Sequence, residues 1–167
     1  MDIFKEQIVK IRRTGKTFIL STLVWLGAMM ITAILLMIIP TLAVLIAALL
    51  FYAALHINQR FNVEYEYILT NGDLDVDKIL SQRSRSRIFT IKCAEIEAVG
   101  EYKQGMKLGE NNVYMCCNPD DEAFYLRARD KKGKPICIVF APNEKMQEAI
   151  KPYLPRIIQL GAFKRAE

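Results

Sequence analysis

Apolar and polar positions follow three different patterns along this chain of 167 residues. At the start, Phe4, Ile8 and Ile11 recur at helical spacing among Lys5, Glu6, Gln7 and Lys10, which predicts a cytoplasmic amphipathic helix over 1–16. Such a helix would lie on the inner leaflet or dock onto the folded domain, and the spacing serves both. From Thr17 to Gln59 there is no Asp, Glu, Lys or Arg. These 43 residues exceed one membrane crossing of roughly 20 residues and suit two, a hairpin over 17–59 with helices at 18–39 and 41–57. Pro40 disfavours helix at Ile39 and opens the next helix well, so it marks the corner. A cleavable signal peptide has an apolar core of only about 7–15 residues. The run is too long for that.

After Arg60 the period drops to two. Phe61, Val63, Tyr65, Tyr67 and Leu69 alternate with Asn62, Glu64, Glu66 and Thr70, the pattern of a half-buried strand. Asn71-Gly72 then predicts a two-residue hairpin, because a type I′ turn requires positive φ at both central positions. Further strands are expected near 74–80, 85–92, 95–102, 113–117, 123–129 and 135–140, seven in all, with a mobile loop over Lys103–Asn112. Met146, Ile150 and either Tyr153 or Leu154 share one face of a closing helix over Glu144–Tyr153. Residues 60–155 thus read as a cytoplasmic domain. Residues 156–167 form a C-terminal tail with a candidate helix over Arg156–Ala166.

Seven strands in meander order closed by one helix match the pleckstrin-homology-like (PH-like) architecture. The stretch Tyr67-Ile-Leu-Thr-Asn-Gly-Asp-Leu-Asp-Val, followed by Arg87-Ile-Phe-Thr-Ile and Ile96-Glu-Ala-Val99, resembles the opening of bacterial PH-like domains fused to paired membrane helices. The whole chain is similar to a family of small Firmicutes membrane proteins with two N-terminal transmembrane helices. The resemblance implies an α+β membrane protein: a transmembrane helical hairpin, then a seven-stranded antiparallel β-barrel or sandwich capped by a C-terminal helix. It carries over no binding residues.

Charge fixes the expected orientation. Arg12, Arg13 and Lys16 precede the first helix and Arg60 follows the second, while the opposite turn has no charge. The positive-inside bias then puts both termini in the cytoplasm of a multi-pass cell-membrane protein. From Arg60 onward there are 18 basic and 16 acidic residues, too even a balance for a nucleic-acid-binding face.

Candidate chemistry is sparse. Cys93, Cys116, Cys117 and Cys137 lack C-x-x-C spacing, and His56, the only histidine, lies in the apolar run. Zinc binding and histidine-assisted nucleophilic catalysis are therefore not expected, nor is any cofactor. Asp73, Asp75 and Asp77 begin like an EF-hand loop, but Lys78 and Ser84 occupy the Gly and Glu positions, and period two puts the aspartates on the solvent side. Across the Asn71-Gly72 turn Glu66 falls opposite Asp77, a like-charge pair that Arg85 or Arg87 from the next strand would offset. Arg83, Arg85 and Arg87 are the candidate surface for anionic lipid headgroups or a membrane-protein partner. The expected function is a non-enzymatic, membrane-anchored interaction module; a regulatory or structural subunit of a larger membrane complex is the alternative.

Overall fold

The computed structural model describes residues 3–109, 112–129 and 133–164. Strand β1 (Phe4–Lys10) comes first, then helices α1 (Gly15–Ile38) and α2 (Pro40–Gln59). Strands β2 (Val63–Thr70), β3 (Asp73–Leu80), β4 (Ser84–Lys92), β5 (Ala98–Tyr102), β6 (Val113–Met115), β7 (Ala123–Arg129) and β8 (Pro135–Phe140) follow. The chain closes with α3 (Glu144–Ile150) and α4 (Arg156–Gln159). Two compact units result. A sheet unit takes the chain up to Ile11, Glu64–Ile79 and everything from Ser84; a hairpin unit takes Arg12–Val63 and Leu80–Arg83.

In the sheet unit, two four-stranded sheets have the orders β1-β2-β3-β4 and β5-β7-β8-β6. Asn71 and Gly72 take φ of 50° and 93°, as a two-residue turn demands. A Cβ on Gly72 would also come within 2.7 Å of Tyr153 Cδ1. The core joins Tyr67, Leu69, Leu74 and Val76 of the first sheet to Phe124, Leu126, Ile138 and Phe140 of the second. Met146 and Ile150 of α3 close it, each side chain contributing about 1.5–3 kcal/mol by burial. Asn143 caps α3, its Oδ1 accepting the Met146 N–H at 2.9 Å.

Three expectations are corrected here. The chain before the membrane segment is a strand, not an amphipathic helix over 1–16: β1 pairs antiparallel with β2 from Phe4↔Thr70 to Lys10↔Glu64. Its inward side is partly polar, because the Gln7 amide donates to Ala141 O and accepts from Asn143 N, both at 2.8 Å. Secondly, the expected seven-stranded antiparallel barrel or sandwich is, among the described residues, eight strands in two four-stranded sheets, and β6 runs parallel to β8. Thirdly, residues 156–164 are part of the domain rather than a tail, with a helix only over Arg156–Gln159; the end of the expected helix, at Ala166, lies outside the described residues. Ala162 is buried, and Phe163 packs edge-on to Phe124 and Phe140 at centroid separations of 5.3 and 6.4 Å. Within the loop expected to be mobile, the described part 103–109 is tethered by Leu108, which is buried and whose carbonyl accepts from Arg127 Nη2 at 2.9 Å, while Glu110 and Asn111 lie outside the described residues.

In the hairpin unit, α1 and α2 are long and apolar enough to cross a membrane, at 24 and 20 residues or about 36 and 30 Å. They begin and end within three residues of the expected bounds. Ala28, Ala43 and Ala54 are buried, and the Trp25 and Phe51 rings lie 5.9 Å apart. Ser21 Oγ donates to Asn58 Oδ1, and Asn58 Nδ2 donates to Ala54 O at 3.1 Å, so two polar side chains are satisfied where the helices meet.

Candidate functional site

The arginines proposed from sequence as one surface fall into two groups. Arg85 and Arg87 leave β4 over the outer face of the first sheet. Arg85 Nη2 meets Glu66 Oε2 at 2.6 Å. Arg87 spans two aspartates, Nη1 to Asp75 Oδ2 at 2.9 Å and Nε to Asp77 Oδ1 at 3.0 Å. The Glu66 and Asp77 side chains are only 4% exposed, whereas both arginines remain about half exposed. The hydrogen bond to Asp77 also holds the Arg87 guanidinium above its ordinary value. These guanidiniums neutralise carboxylates that period two had placed in solvent. Asp77 faces outward as expected, but the β4 side chains cover it, which corrects the reading of all three aspartates as solvated.

Arg83 belongs elsewhere. Leu80–Arg83 is a tight turn in which Ser81 and Gln82 adopt φ of 51° and 59°, left-handed values that cost a non-glycine residue about 1–2 kcal/mol. Arg83 N–H closes the turn on Leu80 O at 3.1 Å. Hydrogen bonds hold this conformation: Ser81 N–H donates to Asn62 O at 2.9 Å, and Ser81 Oγ donates to Gln59 O. Those acceptors are the last carbonyls of α2 and the residues after it, which need partners at a helix end. Arg83 therefore stands beside the α2 C-terminus, with Arg60.

The start of α1 lies at that same end. Arg13 donates from Nε and Nη2 to Asn62 Oδ1 at 3.1 and 2.7 Å, clamping the two flanks of the hairpin together. Arg12, Arg13, Lys16, Arg60 and Arg83 are all exposed. Of the 23 Lys and Arg residues, these five lie in the hairpin unit; the other 18 balance all 18 Asp and Glu residues, which lie in the sheet unit. The formal net charge of +5 is thus concentrated at one end of two apolar helices. Sequence reading missed Asn62, Ser81 and Gln7, since a polar residue at an element end carries no signal of its long-range partner.

Three of the buried thiols are shifted away from reactivity. Burial pushes the Cys93 and Cys116 thiols up to about 12 and the Cys117 thiol up to about 11, each from 9.0. A nucleophilic or metal-binding cysteine needs the opposite shift. Tyr67 is likewise raised by burial; its hydroxyl donates to Cys116 O at 2.6 Å and accepts from Ala141 N at 3.3 Å. That hydroxyl ties the first sheet to the second. It is structural. His56 sits in the last turn of α2, exposed.

No curated protein and no solved structure matches the chain. A family described as Bacterial PH-like domain (DUF6106) matches residues 1–160, and so spans β1, the helical hairpin and both sheets. The chain belongs to this bacterial PH-like domain family.

Proposed function

We propose that the chain is a membrane-anchored, non-enzymatic PH-like interaction module, held on the cytoplasmic face by a two-crossing hairpin inserted into its own first sheet. The observation that carries this reading is the β1–β2 pairing. β1 precedes α1 and β2 follows α2, yet their backbones are hydrogen-bonded over seven residue pairs. Strands on opposite sides of a bilayer cannot pair, because about 30 Å of hydrocarbon would separate backbones that must lie within about 5 Å. A chain that leaves β1, enters the membrane and returns to β2 must cross an even number of times. Two helices provide that number. The basic residues at the shared end then select the cytoplasmic side.

The module reading fits the rest of the domain, where buried carboxylates are neutralised and buried thiols stay protonated. Reporters fused to each terminus test it: both should respond only from the cytoplasm, and one terminus accessible from outside intact cells would overturn it.

A second reading, a subunit of a larger membrane complex, draws on one feature. A shallow apolar groove on the hairpin has Gly27 and Ala53 among larger residues such as Leu23, Ile31 and Leu50, a surface against which another helix could pack. Stoichiometric membrane partners after gentle detergent extraction would support it; recovery of a lone chain would remove it.

A further inference from the structure

Resting on the membrane-anchored reading, we infer that the cations at the open end of the hairpin are the binding surface for anionic phospholipid headgroups, with Lys16, Arg60 and Arg83 as its core, and that Arg85 and Arg87 take no part. Three observations carry this. Lys16, Arg60 and Arg83 are exposed, and among the described residues none of them has a carboxylate partner. The hairpin unit contains no acidic residue at all, so nothing within it competes for them. The third is that helix stability does not explain Lys16 or the turn that delivers Arg83, whereas Arg60, the C-cap of α2, is where the macrodipole already favours a cation. Lys16 lies in the first turn of α1, where the macrodipole opposes a positive charge, and that turn has no acidic residue. Arg83 is delivered by a turn with two left-handed non-glycine residues, an unfavourable conformation held by the α2 end.

A phosphodiester headgroup matches this chemistry. It is singly negative, sits at the level where helices of this length end, and accepts several N–H bonds at once. Arg13 turns two of its N–H groups to Asn62, which fixes its direction and leaves the rest of the fork for a phosphate. Arg85 and Arg87 are the contrasting case, their charge already matched by Glu66, Asp75 and Asp77.

The test uses the full chain in phosphatidylcholine vesicles containing spin-labelled phosphatidylglycerol or spin-labelled phosphatidylcholine. The preference of the motionally restricted lipid shell is read by electron paramagnetic resonance. Wild type should prefer phosphatidylglycerol by at least about fivefold at low salt, the equivalent of ~1 kcal/mol from one cation near the surface. The preference should fall at high salt. Lys16→Gln with Arg60→Gln and Arg83→Gln should bring it close to unity, while Arg85→Gln with Arg87→Gln should leave it in place. Inorganic phosphate should lower it no more than chloride of equal ionic strength, since the partner is lipid rather than a free anion. A wild-type ratio near unity, an equal loss in the Arg85/Arg87 variant, or specific competition by phosphate would each overturn the inference. Protease protection of terminal tags in the same vesicles separates the two levels. Termini on one side with no lipid preference defeat only this inference, whereas termini on opposite sides defeat the anchored-module reading beneath it.

Discussion

In the sheet unit 18 basic residues are matched in number by 18 acidic ones, whereas the hairpin unit carries five basic residues and no acidic one. The same residue type does different work in each. Arg85 and Arg87 lie over carboxylates that are nearly closed to water, and removing either arginine strands a negative charge in a poorly hydrated place. Arg60 and Arg83 stand at a helix end with no such partner among the described residues. Proximity in sequence hides the distinction: Arg83 and Arg85 are two residues apart, yet one closes a turn against α2 and the other covers Glu66. An arginine's role is set by the charge it faces, and that is a tertiary property.

The comparison can be broken most forcefully through the interior of the sheet unit. Thiols at about 12 rather than 9.0 imply a thiolate fraction about a thousandfold lower for Cys93 and Cys116 in the folded chain. Alkylation by iodoacetamide at pH 8 should therefore be negligible until the chain unfolds; fast labelling of the native chain would show that the interior is open. The same shift has a sign for stability. The folded state keeps these protons longer than the unfolded state, so their stabilisation is complete below about pH 9 and is lost as pH rises toward 12. Denaturant midpoints should fall across that window.

Next in size come the arginines over the carboxylates. Arg87→Ala leaves Asp75 and Asp77 without their cation and should cost about 2 kcal/mol. That is below the 3–5 kcal/mol for a fully buried pair, because Arg87 is half exposed. Arg85→Ala removes one contact to Glu66 and should cost about 1 kcal/mol. Urea unfolding of the full chain in detergent measures both. Arg83→Ala should change stability by less than about 0.5 kcal/mol, as for a solvated surface residue. A loss for Arg83→Ala equal to that for Arg87→Ala would erase the distinction between the two groups.

Much of the fold was legible in the sequence, and the omissions have definite causes. Period-two alternation located β2, β3 and β7, short apolar runs between polar breaks located the other four strands after the hairpin, and Asn71-Gly72 marked the β2–β3 turn. β1 was hidden for two reasons. Phe4, Ile8 and Ile11 mimic a helical face, and the inward Gln7 breaks the apolar alternation because its amide is spent on Ala141 and Asn143. Its partner strand also lies beyond the whole membrane segment, where no local pattern could reveal it. At the candidate site, the offset of Glu66 and Asp77 by Arg85 and Arg87 followed from hairpin register alone. Arg83 did not, because Ser81 and Gln82 carry no turn signature: they are neither glycine nor asparagine, yet they take the left-handed conformation.

The pairing of β1 with β2 across the membrane segment is best tested by a single cross-link. Lys10 and Glu64 are register partners at the mouth of the hairpin, one on each flank. With Lys10→Cys and Glu64→Cys in the full chain, oxidation of intact native membranes should give an intramolecular disulfide seen as a mobility shift on a non-reducing gel. No cross-link, together with maleimide labelling of the two thiols from opposite faces of the membrane, would contradict the inserted hairpin and everything drawn from it.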